Sequence, residues 1–312
     1  MKYSGIGGQA VIEGIMMRNG SDYATAVRKP DGGIAVKKEV YTSLLAKYPV
    51  LRLMFIRGIF AFADSMTIGM RSLSYSASFF EDDEDSEPSK LELFLDKIFG
   101  KQAETVIMAA GTAFSILAAV GMFLLLPAFL GGLIRKVYGN YYIAAFLEGV
   151  IRIAIFVLYI KLISRFEDIR RTFMYHGAEH KCINCVENGL ELTVENVMKS
   201  SREHKRCGTS FIIIVMLISI VFFMAIKVDT VALRILTRVL LIPVIAGVSF
   251  EFLSLAGRSD AWLVNILSRP GMWMQALTVK EPTSDMVEVA ISAVEAVFDW
   301  KKYLRENFGK EI

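Results

Sequence analysis

The sequence predicts a predominantly α-helical integral membrane protein with about four transmembrane helices, a small N-terminal β-hairpin region and a cytoplasmic metal-binding loop. Three observations support this prediction. Hydrophobic residues make up 54% of the 312 residues and charged residues only 21%, with a mean hydropathy of +0.45, which is unusual for a soluble chain. Several apolar stretches are long enough to cross a bilayer. All histidines and cysteines of the chain fall within residues 176–207.

Four stretches have the length and composition of membrane spans, namely residues 106–134, 141–163, 211–226 and 235–257. The first contains no charged residue, and a helix needs only about 20 apolar residues to cross the hydrocarbon core. Pro127 and the following Gly131-Gly132 pair predict that this helix ends or kinks near its far side. The fourth stretch has charged flanks, so a buried soluble helix or an interfacial helix is its alternative.

Basic residues set the expected orientation in the cell (inner) membrane. Lys97 and Lys101 precede the first span, and residues 164–210 contain eight lysines or arginines. The positive-inside rule therefore places both segments, and with four spans both termini, in the cytoplasm. Arg135 and Lys136 fall on the opposite side and count against this orientation. The N-terminus lacks a basic start followed by an apolar run, so no cleavable signal peptide is expected.

The chain divides into six expected regions. They are a cytoplasmic β-hairpin and interfacial-helix region (1–80), an acidic linker (81–90), a first transmembrane helix pair (91–163), a His/Cys metal-binding loop (164–210), a second transmembrane pair (211–257) and a cytoplasmic helical tail (258–312). In the first region, the segment from Lys29 to Gly33 has the composition of a hairpin turn. Residues 44–80 are apolar and are expected to form a helix against the inner leaflet of the membrane.

The clustered histidines and cysteines form two overlapping patterns. In the first, His176 and His180 are four residues apart, so a helix would direct both imidazoles to one ion. Glu179 beside them is placed to accept a proton from a water at that ion, as in the inverted His-x-x-Glu-His motif of some zinc enzymes. Gly177 weakens the helix that this interpretation requires.

The second pattern predicts a closed structural zinc site. Cys182 and Cys185 are followed by His204 and Cys207, a spacing that suits three thiolates and one imidazole. Six candidate ligands exceed the four positions of a tetrahedral ion, so both patterns cannot fill one site. A third interpretation, in which these residues share no ligand, stays open.

Long motifs resemble one family. The strings Gly7-Gly-Gln-Ala-Val-Ile-Glu-Gly-Ile-Met-Met-Arg18, Tyr175-His-Gly-Ala-Glu-His-Lys181, Arg206-Cys-Gly-Thr-Ser-Phe211 and Pro270-Gly-Met-Trp-Met-Gln-Ala-Leu-Thr278 resemble the YqhQ-like family over nearly the whole chain. That resemblance implies a bacterial membrane protein of uncharacterised function, of a kind often described as a predicted metal-dependent enzyme. It implies no particular reaction.

The resemblance also selects among the candidate ligands. It implies that His176, His180, His204 and Cys207 surround a divalent transition metal, with Glu179 as the base or as a group behind the ligands. In the family pattern, threonine is more common at the position of Cys182 and the position of Cys185 varies, so these two cysteines are additional candidates only. Zinc is the preferred ion because imidazole and thiolate suit it.

Four further polar residues are candidates for binding substrate or for another functional role. Gln9 and Glu13 are expected on one face of a strand, from which they could reach the metal site or a substrate. Arg206 adjoins Cys207. Glu251 in the fourth span could pair with Arg258 or act as a distant metal ligand. In the second span, Glu148 and Arg152 are four residues apart and are expected to pair with each other.

The leading functional hypothesis is a membrane-bound, metal-dependent hydrolase that acts on a peptide or a lipid-linked substrate. Glu179 would move the proton, and Arg202 or Arg206 would stabilise the developing negative charge. One alternative is a membrane scaffold or regulator whose zinc only folds the loop. Another is a small transporter, or an accessory subunit of one, that uses the charges in its spans. The net charge of +3 is too small to indicate nucleic-acid binding, and no oligomeric state is predicted.

Overall fold

The computed structural model describes residues 2–80, 103–204, 207–228, 230–257 and 261–310. The chain forms two compact units. One comprises residues Met1–Phe80, Tyr159–Ser219 and Val228–Ile312, and the other comprises Glu81–Leu158 and Ile220–Lys227. The predicted acidic linker, residues 81–90, lies outside the described residues.

The larger unit begins with four strands and continues with helices. The strands are β1 (Gly7–Val11), β2 (Gly14–Asn19), β3 (Asp22–Arg28) and β4 (Ile34–Val40). The helices of the described chain are α1 (Leu44–Lys47), α2 (Ile56–Ala77), α3 (Ala103–Val120), α4 (Leu126–Tyr138), α5 (Tyr141–Ile163), α6 (Glu167–Glu187), α7 (Val194–Lys199), α8 (Gly208–Ala225), α9 (Val231–Ala256), α10 (Trp262–Thr278), α11 (Ser284–Val297) and α12 (Trp300–Phe308). A short 3₁₀ helix, Pro49–Arg52, separates α1 from α2.

The strands form one antiparallel sheet in the order β1-β2-β3-β4. The predicted hairpin is confirmed, since β3 pairs with β4 in a register that joins Arg28 to Ile34 across the expected turn. A second, tighter hairpin joins β1 to β2, with Val11 opposite Gly14. Strands β2 and β3 are buried along nearly their whole length because helices cover both faces of the sheet.

Alternating side chains of the sheet enter two apolar clusters. Ile15 and Met17 of β2 join a large core with α6 and α11, whereas Met16 packs with Ile68 of α2 on the other face. Successive residues of a strand point to opposite faces, so the sheet forms the middle of three layers. The described part of the C-terminal segment, residues 261–310, is largely helical. Its helix α11 lies in this core and is not a peripheral tail.

Four helical stretches are long and apolar enough to cross a membrane: Ala109–Tyr138, Tyr141–Ile163, Gly208–Ala225 and Leu233–Ala256. They correspond to the four predicted spans and are compatible with a membrane protein. The first continues through Pro127, and a π-helical turn at Gly121–Leu125 immediately precedes this proline. Proline has no N–H to donate, and a π-helical turn changes the hydrogen-bond pattern of the backbone near that position. The regular α-helix is therefore interrupted near Pro127, as predicted, but the helical stretch does not end there.

The region predicted as a loop, residues 164–210, is largely helical. It contains all of α6 and α7, and α8 begins at Gly208. Among the described residues of this region, the connection between α7 and α8 carries His204 and Cys207. The prediction of a loop was therefore wrong for residues 167–187, where two of the histidines lie on a regular helix.

Candidate metal centre

Helix α6 positions His176 and His180 on one face. Glu167 and Asp168 occupy its first turn, where carboxylates interact favourably with the positive end of the helix dipole. One turn of helix separates the two histidines, and their ring centroids lie 4.5 Å apart. The helix that the His-x-x-Glu-His pattern required is therefore present.

Backbone carbonyls orient both imidazole rings. The Nδ1 atom of His176 lies 3.2 Å from the carbonyl oxygen of Thr278, and that of His180 lies 2.6 Å from the carbonyl oxygen of Arg202. Each Nδ1 must carry the proton to donate to a carbonyl, so each Nε2 keeps its lone pair for another partner. Metal-binding histidines are held in this way by a hydrogen bond from their second nitrogen.

Cys207 adds a sulfur to the same point. Its Sγ lies 3.3 Å from Nε2 of His176, and the ligand atoms of His176, His180 and Cys207 all lie within 4.8 Å of one another. Cys207 directly precedes α8, and the backbone N–H of Thr209 donates to its sulfur over 3.4 Å. Two imidazoles from α6 thus converge with the thiol of the residue that precedes α8.

Side chains of α6 hold the connection that leads to Cys207. Lys181 and Asn184 donate to the carbonyl oxygens of Met198, Ser200, Ser201 and Glu203 over 2.6–3.0 Å. With the bond from His180 to Arg202, α6 donates to every backbone carbonyl from residue 200 to residue 203. Lys181 is only 4% exposed, and its ammonium also pairs with Glu281 at 2.6 Å.

Gln275 of α10 fixes the backbone of His204. Its Oε1 accepts from the His204 N–H over 3.0 Å, and its Nε2 donates to the His204 carbonyl over 2.7 Å and to the Ser210 hydroxyl over 2.9 Å. The His204 ring lies 5.6 Å from that of His180, and its Nε2 is 3.7 Å from a carboxylate oxygen of Glu187. His204 therefore lies next to the three converging groups, with Glu187 behind it.

Glu179 is buried beside the cluster. One of its carboxylate oxygens is 3.8 Å from Nε2 of His176, and the backbone N–H of Gly8 in β1 donates to the carboxylate. Burial raises the pKa of Glu179, while the neighbouring His176 and the Gly8 hydrogen bond oppose that rise. A carboxyl group beside a candidate metal ligand and a cavity has the position that a proton-transfer group needs.

The structure explains why residue 177 is a glycine, which the sequence alone did not. A Cβ atom at this position would lie 1.9 Å from the carbonyl oxygen of Lys280, which is an impossible contact. The Lys280 N–H in turn donates to the carbonyl of Phe173 over 2.9 Å. Glycine therefore lets the chain after α10 approach α6 closely enough for Thr278 to reach His176.

The cluster lines a cavity of about 490 Å³. Its walls include His176, Glu179, His180, His204 and Cys207, the segment Gly5–Gln9, and Ser65 and Ile68 of α2. Arg18 of β2 also lines the cavity, and its Nε donates to the carbonyl of Gly20, another lining residue, over 2.8 Å. The walls of the cavity thus include candidate metal ligands, a carboxyl group and an arginine.

Cys182 and Cys185 lie elsewhere. Both are fully buried in the large apolar core between α6 and α11, and the metal-binding cluster does not include them. Burial raises the pKa of the Cys185 thiol to about 11 and that of Cys182 as well, the latter with further contributions from Cys185 and Glu179. The structure therefore does not assemble the three-thiolate site that the Cys-x-x-Cys spacing suggested.

Gln9 and Glu13 were predicted to share one face of a strand, but they do not. Gln9 lies in β1 and lines the cavity, but Glu13 occupies the β1–β2 turn with a φ of 46°. Its carboxylate forms a two-pronged ion pair with Arg171 and accepts from the Tyr175 hydroxyl over 3.2 Å. Glu13 thus joins the first hairpin to α6 and does not line the cavity.

Glu251 also forms its described contacts away from the His-His-Cys cluster. Its two oxygens accept from Nε and a terminal nitrogen of Arg57 over 2.7 and 2.5 Å, and one also accepts from the Phe55 N–H. Glu251 is not part of the His-His-Cys group. The predicted pairing with Arg258 falls outside the described residues. The predicted Glu148–Arg152 pair is confirmed at 3.2 Å.

Of the two arginines expected to stabilise negative charge, only Arg202 is among the described residues. Arg202 contributes its carbonyl to the site, but its guanidinium lies 3.7 Å from Glu281. Arg206 lies outside the described residues. Four residues at the site were not predicted from the sequence to have a role there: Arg18, Lys181, Asn184 and Gln275. Three of these fall inside the family-like strings, which was the available signal.

The fold and cluster define a chain with four membrane-length helices and a His-His-Cys group beside a cavity. Residues 53–300 match the family described as "Protein of unknown function (DUF1385)", and the chain belongs to this family. It is similar to the "Uncharacterized protein YqhQ" of Bacillus subtilis (strain 168), with 37% identity over 307 residues, covering 96% of this chain and 94% of that protein. The YqhQ-like resemblance is thereby confirmed. No solved structure matches the chain.

Proposed function

We propose that this protein is a membrane-embedded metalloprotein whose His-His-Cys centre hydrolyses a substrate at the cytoplasmic membrane surface. The observation that supports it is the convergence of His176, His180 and Cys207, whose ligand atoms lie within 4.8 Å of one another in the wall of a 490 Å³ cavity. Cys207 adjoins the first residue of a membrane-length helix, so the centre lies at the end of a candidate span.

The donor set fits a divalent transition metal, with zinc preferred. Zinc–nitrogen and zinc–sulfur bonds of about 2.0–2.3 Å place tetrahedral ligand atoms about 3.3–3.8 Å apart, close to the 3.3 Å between His176 and Cys207. Both Nδ1 atoms are already taken by carbonyls, which directs each Nε2 to the ion. Three protein ligands and an adjoining cavity are typical of catalytic zinc sites, which keep one position open.

The residues around the centre support a hydrolytic reaction. A bound zinc would supply Lewis acidity and an activated water. Glu179 would accept the proton that the attacking water loses and pass it to the leaving group, so that one water is consumed for each bond broken. Arg18 would stabilise the negative charge that develops on the attacked carbonyl or phosphoryl group, the role expected earlier of Arg202 or Arg206.

Metal content tests the first part of this proposal. The full-length protein, purified in detergent without chelators, is expected to contain stoichiometric metal by elemental analysis, and His180→Ala and Cys207→Ala are expected to lose it. Cys182→Ala is the matched control, because that thiol lies in the apolar core. Equal metal content in all four proteins would overturn the assignment.

The coordination shell tests whether the site is open. X-ray absorption is expected to show one sulfur ligand, and a cobalt-substituted protein is expected to change its visible spectrum when azide is added, since azide needs a free position. Glu179→Gln is expected to keep the metal. A shell with several sulfurs, or a spectrum that azide does not change, would favour the structural-zinc scaffold and reject the hydrolase.

A further inference from the structure

Residues 44–80 present an apolar surface that the rest of the described chain leaves exposed. Along α2, Phe62, Met66 and Met70 recur every four residues, with 50%, 44% and 61% of their surface exposed. Leu53 and Met54, just before α2, are 57% and 60% exposed. The opposite side of α2 is buried through Ile68, Ser72 and Ser76, so one face packs on the sheet and the other is apolar and uncovered.

The charges of this segment have one sign at the surface. Its basic residues are Lys47, Arg52, Arg57 and Arg71. Its one acidic residue, Asp64, is 1% exposed and accepts hydrogen bonds from Tyr41, Ser43 and the backbone of Leu44. An apolar face flanked by cations and without an exposed carboxylate matches a bilayer that contains anionic lipids. It does not match an aqueous surface of a soluble domain.

The start of α2 packs on a membrane-length helix. The space beside Gly58 is filled by the ring of Phe250, and the carbonyl of Phe55 lies against Gly247 of α9. Both α9 residues fall inside the apolar stretch Leu233–Ala256. The Arg57–Glu251 ion pair lies at the same level, and pairing is what allows charged groups to persist at membrane depth. Residues 53–58 are therefore level with part of a candidate span.

The same helix forms a wall of the cavity. Ser65 and Ile68 line it, and Ser65 follows Gly58 by seven residues, about 10 Å along a helix. Gly208, the first residue of the candidate span Gly208–Ala225, also lines it. Two borders of the cavity thus belong to elements that reach the membrane.

We propose that residues 48–73 insert into the bilayer that α8 and α9 span, and that the cavity admits an amphiphilic lipid or lipid-linked substrate from that bilayer. The insertion rests on the proposed membrane embedding, and the substrate class also rests on the proposed hydrolysis. The cavity suits such a molecule because metal-binding and charged groups share its walls with apolar side chains, including Ile6, Met16 and Ile183. A polar headgroup would face the His-His-Cys centre and an acyl chain would follow the apolar wall.

One photolabelling experiment tests both statements. The full-length protein is placed in vesicles of phosphatidylethanolamine and phosphatidylglycerol, part of the latter carrying a diazirine in an acyl chain. After illumination, the labelled residues are identified by mass spectrometry. Insertion predicts labelling of Met54, Phe62 and Met70 comparable to Leu240 of α9 and several-fold above Val40 of β4. Leu240 and Val40 are matched references, since they are 64% and 68% exposed.

The cavity residues report on substrate access. Met16 and Ile183, although 5% and 2% exposed, are expected to be labelled above Met286, which is 1% exposed in the core away from the cavity. Labelling of α2 at the level of Val40 would overturn the insertion. Labelled α2 with Met16 and Ile183 no higher than Met286 would overturn the lipid substrate in favour of a water-soluble one, such as a peptide. Metal analysis is independent of these results, so failure of the metal proposal remains distinguishable.

Discussion

Replacing Gln275 with methionine is expected to loosen the candidate centre without removing any proposed ligand. Methionine keeps the length and much of the shape of glutamine but cannot donate or accept equivalent hydrogen bonds. The substitution would leave the His204 N–H and carbonyl without the partners they have at 3.0 and 2.7 Å. Leaving a buried polar group unsatisfied costs about 1–3 kcal/mol, so two such groups cost roughly 2–6 kcal/mol.

Part of that loss is offset because the Gln275 amide, itself only 1% exposed, no longer has to be removed from water. We therefore expect a net destabilisation of about 2–4 kcal/mol. Thermal unfolding in detergent measures it, and a metal titration should show weaker binding, since His204 and Cys207 lie on the connection that Gln275 holds. Ser292→Ala, which loses a solvent-exposed hydrogen bond, is the control. Wild-type stability and metal affinity in Gln275→Met would refute this account of the site.

Two further predictions follow from the same packing. Gly177→Ala gains about 1 kcal/mol of helix propensity but forces a Cβ to within 1.9 Å of the Lys280 carbonyl. We expect a net loss of stability and of metal affinity, measured beside Gly132→Ala, whose added methyl meets no atom within 4 Å; a stabilised Gly177→Ala would contradict the close approach. Chelation is expected to leave the far-ultraviolet circular dichroism and the proteolytic resistance of residues 188–204 unchanged. Rapid cleavage there after chelation would show that the metal, and not α6, orders the connection.

Local patterns predicted the elements that depend on local physics. The span 141–163 coincides with α5 because a predominantly apolar helix of this length is specified by its own composition. The β3–β4 hairpin follows from the Lys29–Gly33 turn chemistry. The pairing of His176 with His180 needs only the helical repeat, and Glu148 with Arg152 likewise. Each of these predictions concerns residues close in sequence.

Most of the predictions that the structure does not support concerned residues whose partners are distant in the sequence. The contact between Glu251 and Arg57 was not predicted, because Arg57 lies 194 residues earlier in the chain. Glu13 and Gln9 were placed on one strand because no signal marked the tight turn at Ile12–Glu13. Cys182 and Cys185 have a good zinc-binding spacing, yet α6 directs them into the core that α11 completes more than a hundred residues later. Spacing alone could not show which face of α6 would be covered.

The way the connection before Cys207 is ordered bears on whether a metal there is structural or catalytic. In a structural zinc site, the ion itself folds the segment that carries its ligands, because the free chain lacks other interactions to order it. Here His180, Lys181 and Asn184 donate to consecutive carbonyls from residue 200 to residue 203, and Gln275 holds both backbone groups of His204. These bonds hold residues 200–204 with protein groups alone, so an ion would not be needed to fold this part of the connection. A preorganised centre needs little reorganisation when it binds an ion or a reacting group. Catalysis requires this property, whereas a structural metal site does not. The hydrogen bonds from α6 and Gln275 to this connection therefore favour the hydrolytic proposal over the structural-zinc scaffold.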